Sequence, residues 1–243
     1  MPLVCALLCY FARKGHQVDF LETMRLTFLV ATLTTIILLP IGIVLGNYLA
    51  FSPNPLRPVI EVLVWMPLVL PPSVLGFYLL ITFSPKNALG AFLLEHFGFK
   101  LVFSFEGLIL ASVIFSLPFM CNPIKSALVS LPSSLKEASF TLGKGRIYTL
   151  WHVLLPNIKP SLLLGCVTSF AHTIGEFGVV MMIGGNIPNQ TRVASIAIYD
   201  EVEATNYTLA HQYAFSLFIV CFVLLLAIFY LNKHFQQKVA ING

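Results

Sequence analysis

Long apolar runs alternate with short polar segments along this chain. A helix that crosses a bilayer needs about 20 mostly apolar residues. Five stretches meet that length: Phe28 to Phe51, Val59 to Phe83, Gly107 to Met120 with extensions at both ends, Pro160 to Ile183, and Tyr213 to Leu231. The second is interrupted by Pro67, Pro71 and Pro72, which free backbone carbonyls and predict a broken helix. Residues 20–27 mix apolar and charged positions and predict a short interfacial helix ahead of the first span.

Charge placement orients these spans, because cytoplasmic loops collect lysine and arginine. The linker 122–159 holds Lys125, Lys136, Lys144, Arg146 and Lys159 against Glu137 alone, and the tail holds Lys233 and Lys238. The linker 184–212 holds Arg192 against Asp200, Glu201 and Glu203. The first linker and the C-terminus are therefore expected in the cytoplasm, and the second outside. Alternation then puts the N-terminus outside, although it carries Arg13, Lys14 and Arg25. A sixth, N-terminal helix would reverse that end.

Composition agrees with this pattern. Of 243 residues, 58% are hydrophobic and only 10% are charged, against about 25% charged in soluble domains. So few charges cannot cover a water-facing surface, and the chain reads as an all-α integral membrane protein with five or six spans. The net charge of +4 sits near span ends, which suits orientation in lipid rather than nucleic-acid binding. Cys5, Cys9, Cys121, Cys166 and Cys221 form no CxxC pair, and the six histidines are scattered, so no metal or cofactor site is expected. Residues 1–19 read as an N-terminal extension. Their basic residues follow the apolar part, the wrong order for a signal peptide.

The polar linker carries the densest pattern. Ser134-Leu135-Lys136-Glu137 fits a capping box, and Gly143 suits a helix stop, which predicts a helix of two to three turns over 134–143. Leu135, Ala138 and Leu142 share one face of it. Such a helix fits a groove on a soluble partner. Equally, it fits an interfacial anchor for the loop.

Glu137-Ala138-Ser139, three residues, Gly143, nine residues, then Val153-x-Leu155-Pro156 resembles the EAA signature of permease subunits of bacterial ATP-binding cassette importers. That signature runs E-A-A, three residues, G, nine residues, I-x-L-P, and this chain departs at Ser139 and Val153. The resemblance implies a type I importer permease fold over 20–235, with 122–159 as a cytoplasmic coupling loop and 236–243 as a cytoplasmic tail. It also implies that Glu137, Ala138, Ser139, Leu142 and Gly143 contact a separate ATPase subunit, flanked by Lys136, Lys144 and Arg146.

Two further segments narrow the resemblance. His172-Thr-Ile-Gly-Glu-Phe-Gly178 precedes Gly184-Gly-Asn-Ile-Pro-Asn-Gln-Thr-Arg192, and Pro67-Leu-Val-Leu-Pro-Pro-Ser-Val-Leu-Gly76 lies in the second span. Together they are similar to the molybdate permeases. Sulfate and tungstate importers remain alternatives. The resemblance implies a homodimer, two ATPase subunits inside and an extracytoplasmic oxyanion-binding protein outside.

Glu176 falls within the fourth apolar run, where a carboxylate is costly and marks a functional candidate. An acid on an anion's path repels it, so a gating or packing role is favoured, with Gly175 and Gly178 allowing close helix contact. Neutral donors and helix N-termini bind oxyanions without a fixed cation, which nominates Ser73, Ser169, Thr173 and Asn186 as pore candidates. Each also reads as an ordinary helix-packing group. Arg192 is the candidate external contact, for an anion or a binding protein.

Other classes are less well served. An ion-coupled secondary transporter needs intramembrane acids, and Glu61 and Glu176 are the only ones at that depth. No P-loop occurs, so ATP hydrolysis is expected from a separate subunit. No HExxH, GxSxG or paired intramembrane aspartates occur, so enzymatic activity of the chain itself is not expected.

Overall fold

The computed structural model describes residues 2–241, with side chains from 19 to 230. Expectations for Cys5, Cys9, Arg13, Lys14, His16, Lys233, His234 and Lys238 lie outside the described side chains. The order is α1 (Pro2–Phe51), α2 (Arg57–Val69), α3 (Pro72–Phe83), α4 (Ala88–Phe97), α5 (Phe105–Ser130), α6 (Ser133–Thr141) and α7 (Arg146–Thr149). A π-helical turn (Leu150–Leu154) follows, then α8 (Leu155–Asn157), α9 (Lys159–Gly175), α10 (Gly178–Gly184), α11 (Ala194–Glu203) and α12 (Tyr207–Ile241). Among the described residues there is no strand.

Three stretches are long and apolar enough to cross a membrane alone: Asp19–Phe51, Phe105–Ser130 and Tyr207–Tyr230. Two bent pairs raise the number to five if each is one span: Arg57–Val69 with Pro72–Phe83, and Arg146–Asn157 with Lys159–Gly175. The chain is therefore an all-helical, multi-pass membrane protein, as its apolar runs imply.

Three expectations need correction. Residues 20–27 are no separate interfacial helix but part of α1. The Thr27 hydroxyl accepts a 2.8 Å hydrogen bond from the amide of Ala194, so this face packs on α11. Residues 122–130 are no loop, because α5 continues to Ser130 through Pro118 and Pro123. The fourth run does not form one helix to Ile183: α9 stops at Gly175, and the rest of its bent pair is α7–α8, turned by 79°. The 184–212 linker contains a helix of its own, α11. The expected break in the second run is present, at Leu70, which is extended (ψ 140°). A residue before proline is pushed out of the helical region, and Leu70 precedes Pro71.

The helices divide into two compact units. One comprises the chain up to Leu33, Pro72–Ser112 and Thr173–Ile219. Val30, Leu108, Val180, Val193 and Ile196 form its core. Here α10 lies close against α3: a Cβ on Gly178 would stand 2.6 Å from Cβ of Pro72, and one on Gly76 2.8 Å from Cβ of Met182.

The other unit comprises Thr34–Pro71, Val113–His172 and the chain from Val220 onward. Its core joins Leu38 and Ile43 of α1, Met120, Ile124 and Leu128 of α5, and Leu154, Leu155 and Ile158. Met120 is fully buried with a glycine on either side. A Cβ on Gly42 would fall 2.4 Å from its Cγ, and one on Gly165 3.1 Å from its sulfur. One turn on, a Cβ on Gly46 would stand 2.8 Å from Cγ2 of Ile124. Gly42 and Gly46 form the G-x-x-x-G spacing that lets membrane helices close up. Lys125 pairs with Glu61 and ties α5 to α2, so Glu61 is not a free intramembrane acid.

Bulk at Gly46 must displace a β-branched side chain with backbone behind it, since Lys125 N is only 3.4 Å away. Gly46→Val should cost about 1–3 kcal/mol, the usual price of overpacking. It should appear as a lower unfolding midpoint in detergent, largely restored by adding Ile124→Ala. An unchanged midpoint for the single variant would contradict this packing.

Candidate functional site

The polar segment after α5 builds a rigid, outward-facing platform. Helix α6 begins at Ser133, with Pro132 at the N-cap and no side-chain cap bond. The expected capping box therefore does not form: Ser134 lies inside the first turn, where its hydroxyl no longer meets an amide three residues on. The expected stop is present. Gly143 is left-handed (φ +71°), Gly143 N donates to Phe140 O (2.9 Å), and Lys144 N donates to Ser139 O (3.1 Å). These two bonds make a Schellman ending, which satisfies terminal carbonyls and favours glycine at that position.

The motif residues divide by exposure. Glu137, Ala138, Leu142 and Gly143 face outward, with Leu142 76% exposed. Ser139 points the other way and is buried. Its hydroxyl bonds Thr149 Oγ1 at 2.8 Å, and Thr149 in turn donates to the carbonyl of Gly145 at 3.0 Å. Ser139 thus holds α6 onto α7, whereas the expectation placed it with the exposed residues of the motif.

The second half of the motif is an anchor. Leu155 is buried in the core with Leu154 and Ile158, and Pro156 occupies the first turn of α8. Between anchor and platform the chain makes the π-helical turn, closed by Leu155 N to Leu150 O. Such turns are rare and often mark functional positions.

Several contributors were not foreseen. Ile147 is 77% exposed and Trp151 56%. Their signal was present in the sequence as apolar residues inside a polar linker. The Lys136 ammonium lies 4.2 Å above the Phe51 ring and that of Lys144 4.9 Å above Tyr148, so both cations are positioned.

Glu176 lies not within a helix but in the two-residue break between α9 and α10. Its carbonyl accepts from Ser195 Oγ (2.5 Å), which pins the break to α11. Both carboxylate oxygens are buried, and the buried Ser112 hydroxyl is the polar side chain that faces them. A buried carboxylate is expensive, and in a membrane protein such a group is a functional candidate. Gly178 provides the expected close approach, to Pro72, whereas a Cβ on Gly175 would meet nothing.

Ser73 is exposed in the first turn of α3. Thr173 is buried two residues before the end of α9, and Ser169 is buried one turn earlier. Asn186 donates to Asp200 instead. The imidazole of His172, not singled out from sequence, lies 3.0 Å from Ser116 Oγ and stacks on Phe119 with centroids 4.0 Å apart.

Arg192 is not a free cation either. It is half-buried and reaches Glu201 at 3.1 Å and Asp200 at 3.5 Å. Glu201 also accepts from Asn206 (2.8 Å). The acids that make this linker look negative are therefore partly consumed in folding it. Tyr199 donates to Glu203 (2.9 Å), and that bond with the carboxylate charge raises the tyrosine above its ordinary titration range.

Similarity to known proteins matches this arrangement. The permease protein of the molybdenum transport system of Azotobacter vinelandii is 41% identical over 217 residues, covering 89% of this chain and 95% of that one. A probable sulfate transport system permease of Marchantia polymorpha is 33% identical over 213 residues, covering 88% of this chain and 73% of that one. A crystal structure of a bacterial alginate ABC transporter, in complex with a periplasmic protein bound to alginate pentasaccharide, superposes with a TM-score of 0.72. At 17% identity, over 96% of this chain and 92% of that one, it shows a shared importer-permease fold. The model of one family matches residues 23–241, and the chain belongs to it: the binding-protein-dependent transport system inner membrane components.

Proposed function

We propose that this chain is the membrane-spanning permease subunit of an ATP-driven oxyanion importer, with molybdate as the cargo. It works as a homodimer with a separate ATPase subunit on the cytoplasmic side and a cargo-binding protein on the other. The observation that carries the coupling role is the platform of α6. It exposes Glu137, Ala138, Leu142 and Gly143 together with Ile147 and Trp151, on a helix stopped by a Schellman ending and locked by Ser139 and Thr149. Exposed apolar side chains accompanied by the exposed charges of Glu137 and Lys144 are what a helix-in-groove partner needs. The lysine-rich linker supports a cytoplasmic position for this surface.

Mechanically, the platform is rooted in the core through Leu154, Leu155 and Ile158, which pack with Met120 and Ile124 of α5. A push on α6 therefore reaches α5 and α1 through packed side chains rather than through a flexible loop. Residues 20–235 form the transporting domain on this reading. The broken α9–α10 segment with Glu176 is the candidate gate. Its carboxylate serves the break rather than the anion, since a negative group on the path would repel the cargo.

Molybdate rests on the relative from A. vinelandii, at higher identity and fuller coverage than the sulfate relative. Sulfate import is the second reading. The test is ATP hydrolysis in proteoliposomes holding the chain, its ATPase and its binding protein. Molybdate-loaded binding protein should raise the rate above that with sulfate. Equal or greater stimulation by sulfate would overturn the cargo.

Two substitutions separate contact from scaffold. Leu142→Glu should abolish cargo-stimulated hydrolysis with little change in unfolding midpoint, because the side chain is exposed in the subunit. Ser139→Ala and Thr149→Val should each lower the midpoint, and a double-mutant cycle should give a coupling energy of about 1 kcal/mol. Independent effects in the cycle would mean that the hydroxyl pair does not hold α6.

A further inference from the structure

A groove runs between the C-terminal end of α1 and the α6–α7 segment, within one unit of the fold. Its volume is about 570 Å³, and Asn47, Ser52, Lys136 and Arg146 supply its polar lining. Val44 and Phe51 supply apolar wall. No carboxylate lines it. Among the described residues neither Lys136 nor Arg146 is paired with an acid. The ammonium of Lys136 is fixed 4.2 Å over the Phe51 ring rather than sweeping through solvent.

We propose that this groove binds the phosphate headgroup of an anionic phospholipid. Two uncompensated cations on one concavity concentrate an anion there. Arginine grips phosphate through paired N–H donors, and the Asn47 amide and Ser52 hydroxyl add neutral ones. Place selects the lipid. The apolar span of α1 ends at Phe51, and the exposed residues 53–56 follow, so the groove opens at the boundary between hydrocarbon and water. Tyr48, also on the groove, is of the aromatic type that settles at this depth. Val44 is 64% exposed two turns back along the span, giving an acyl chain a surface to follow. Size points the same way, because the volume falls in the range of drug-sized ligands and far exceeds an inorganic tetrahedral anion. A lipid seated here touches the base of the coupling platform. Membrane charge then bears on how α6 is held, whichever anion the transporter carries.

The test is native mass spectrometry of the full chain released from nanodiscs of phosphatidylcholine with a minor fraction of phosphatidylglycerol. Wild-type protein should retain phosphatidylglycerol. Lys136→Gln with Arg146→Gln should retain roughly 30-fold less, as expected for two cations near a lipid surface. The charge-keeping pair Lys136→Arg with Arg146→Lys, and Lys144→Gln outside the groove, should retain it. Undiminished phosphatidylglycerol on the charge-removing pair would overturn the proposal. So would displacement by millimolar inorganic phosphate, which would make the groove a site for small free anions.

Discussion

Close contact between α1, α5 and α9 around Met120 is the constraint on which half of this molecule rests. In lipid, two apolar helices gain little by touching each other instead of hydrocarbon, so association depends on fit. Met120 fits because Gly42 on one side and Gly165 on the other leave room for it. Side chains at either glycine would hold the helices apart and remove the seat. The neighbouring contact of Gly46 with Ile124 repeats the device one turn on, and the Lys125–Glu61 pair fastens α2 to the same helix.

From that seat the architecture leads outward to the platform. The core that contains Met120 and Ile124 also contains Leu154, Leu155 and Ile158, so the V-x-L-P half of the motif is the root of the exposed half. The two halves answer different physical demands: apolar burial at one end, and exposure with a defined helix stop at the other. Ser139 is buried although it sits within the exposed E-A-S half, because its hydroxyl has a buried partner in Thr149. A small residue is required there in either case, since the position faces α7.

Much of this was legible in the sequence. Apolar runs need only composition and length, so the spans around Phe28–Phe51 and Tyr213–Leu231 could be read directly. The glycine stop at Gly143 and the break at Leu70 were readable because both follow from one residue's backbone preference. The capping box was not, because the N-cap falls at Pro132, two residues early, which moves Ser134 out of position. The continuation of α5 past Met120 was hidden by Asn122, Pro123 and Lys125, polar or helix-breaking in isolation but tolerated where Lys125 meets Glu61. Arg192 and Asn186 looked available because their partners, Asp200 and Glu201, are distant enough in sequence that only folding brings them close. Glu176 stood out as a carboxylate in an apolar run, yet its place in a helix break pinned by Ser195 of α11 is something no local pattern reveals.

The claim at the centre is that the exposed face of α6 docks onto the ATPase, and that Ser139 does not. Photo-crosslinking in native membranes tests it most directly, with a photoreactive residue placed singly at Leu142, Ile147 or Ser139. Adducts with the ATPase at Leu142 and Ile147, and none at Ser139, are the expected result. No adduct at either exposed position, in membranes where transport is active, would contradict the coupling role of this surface.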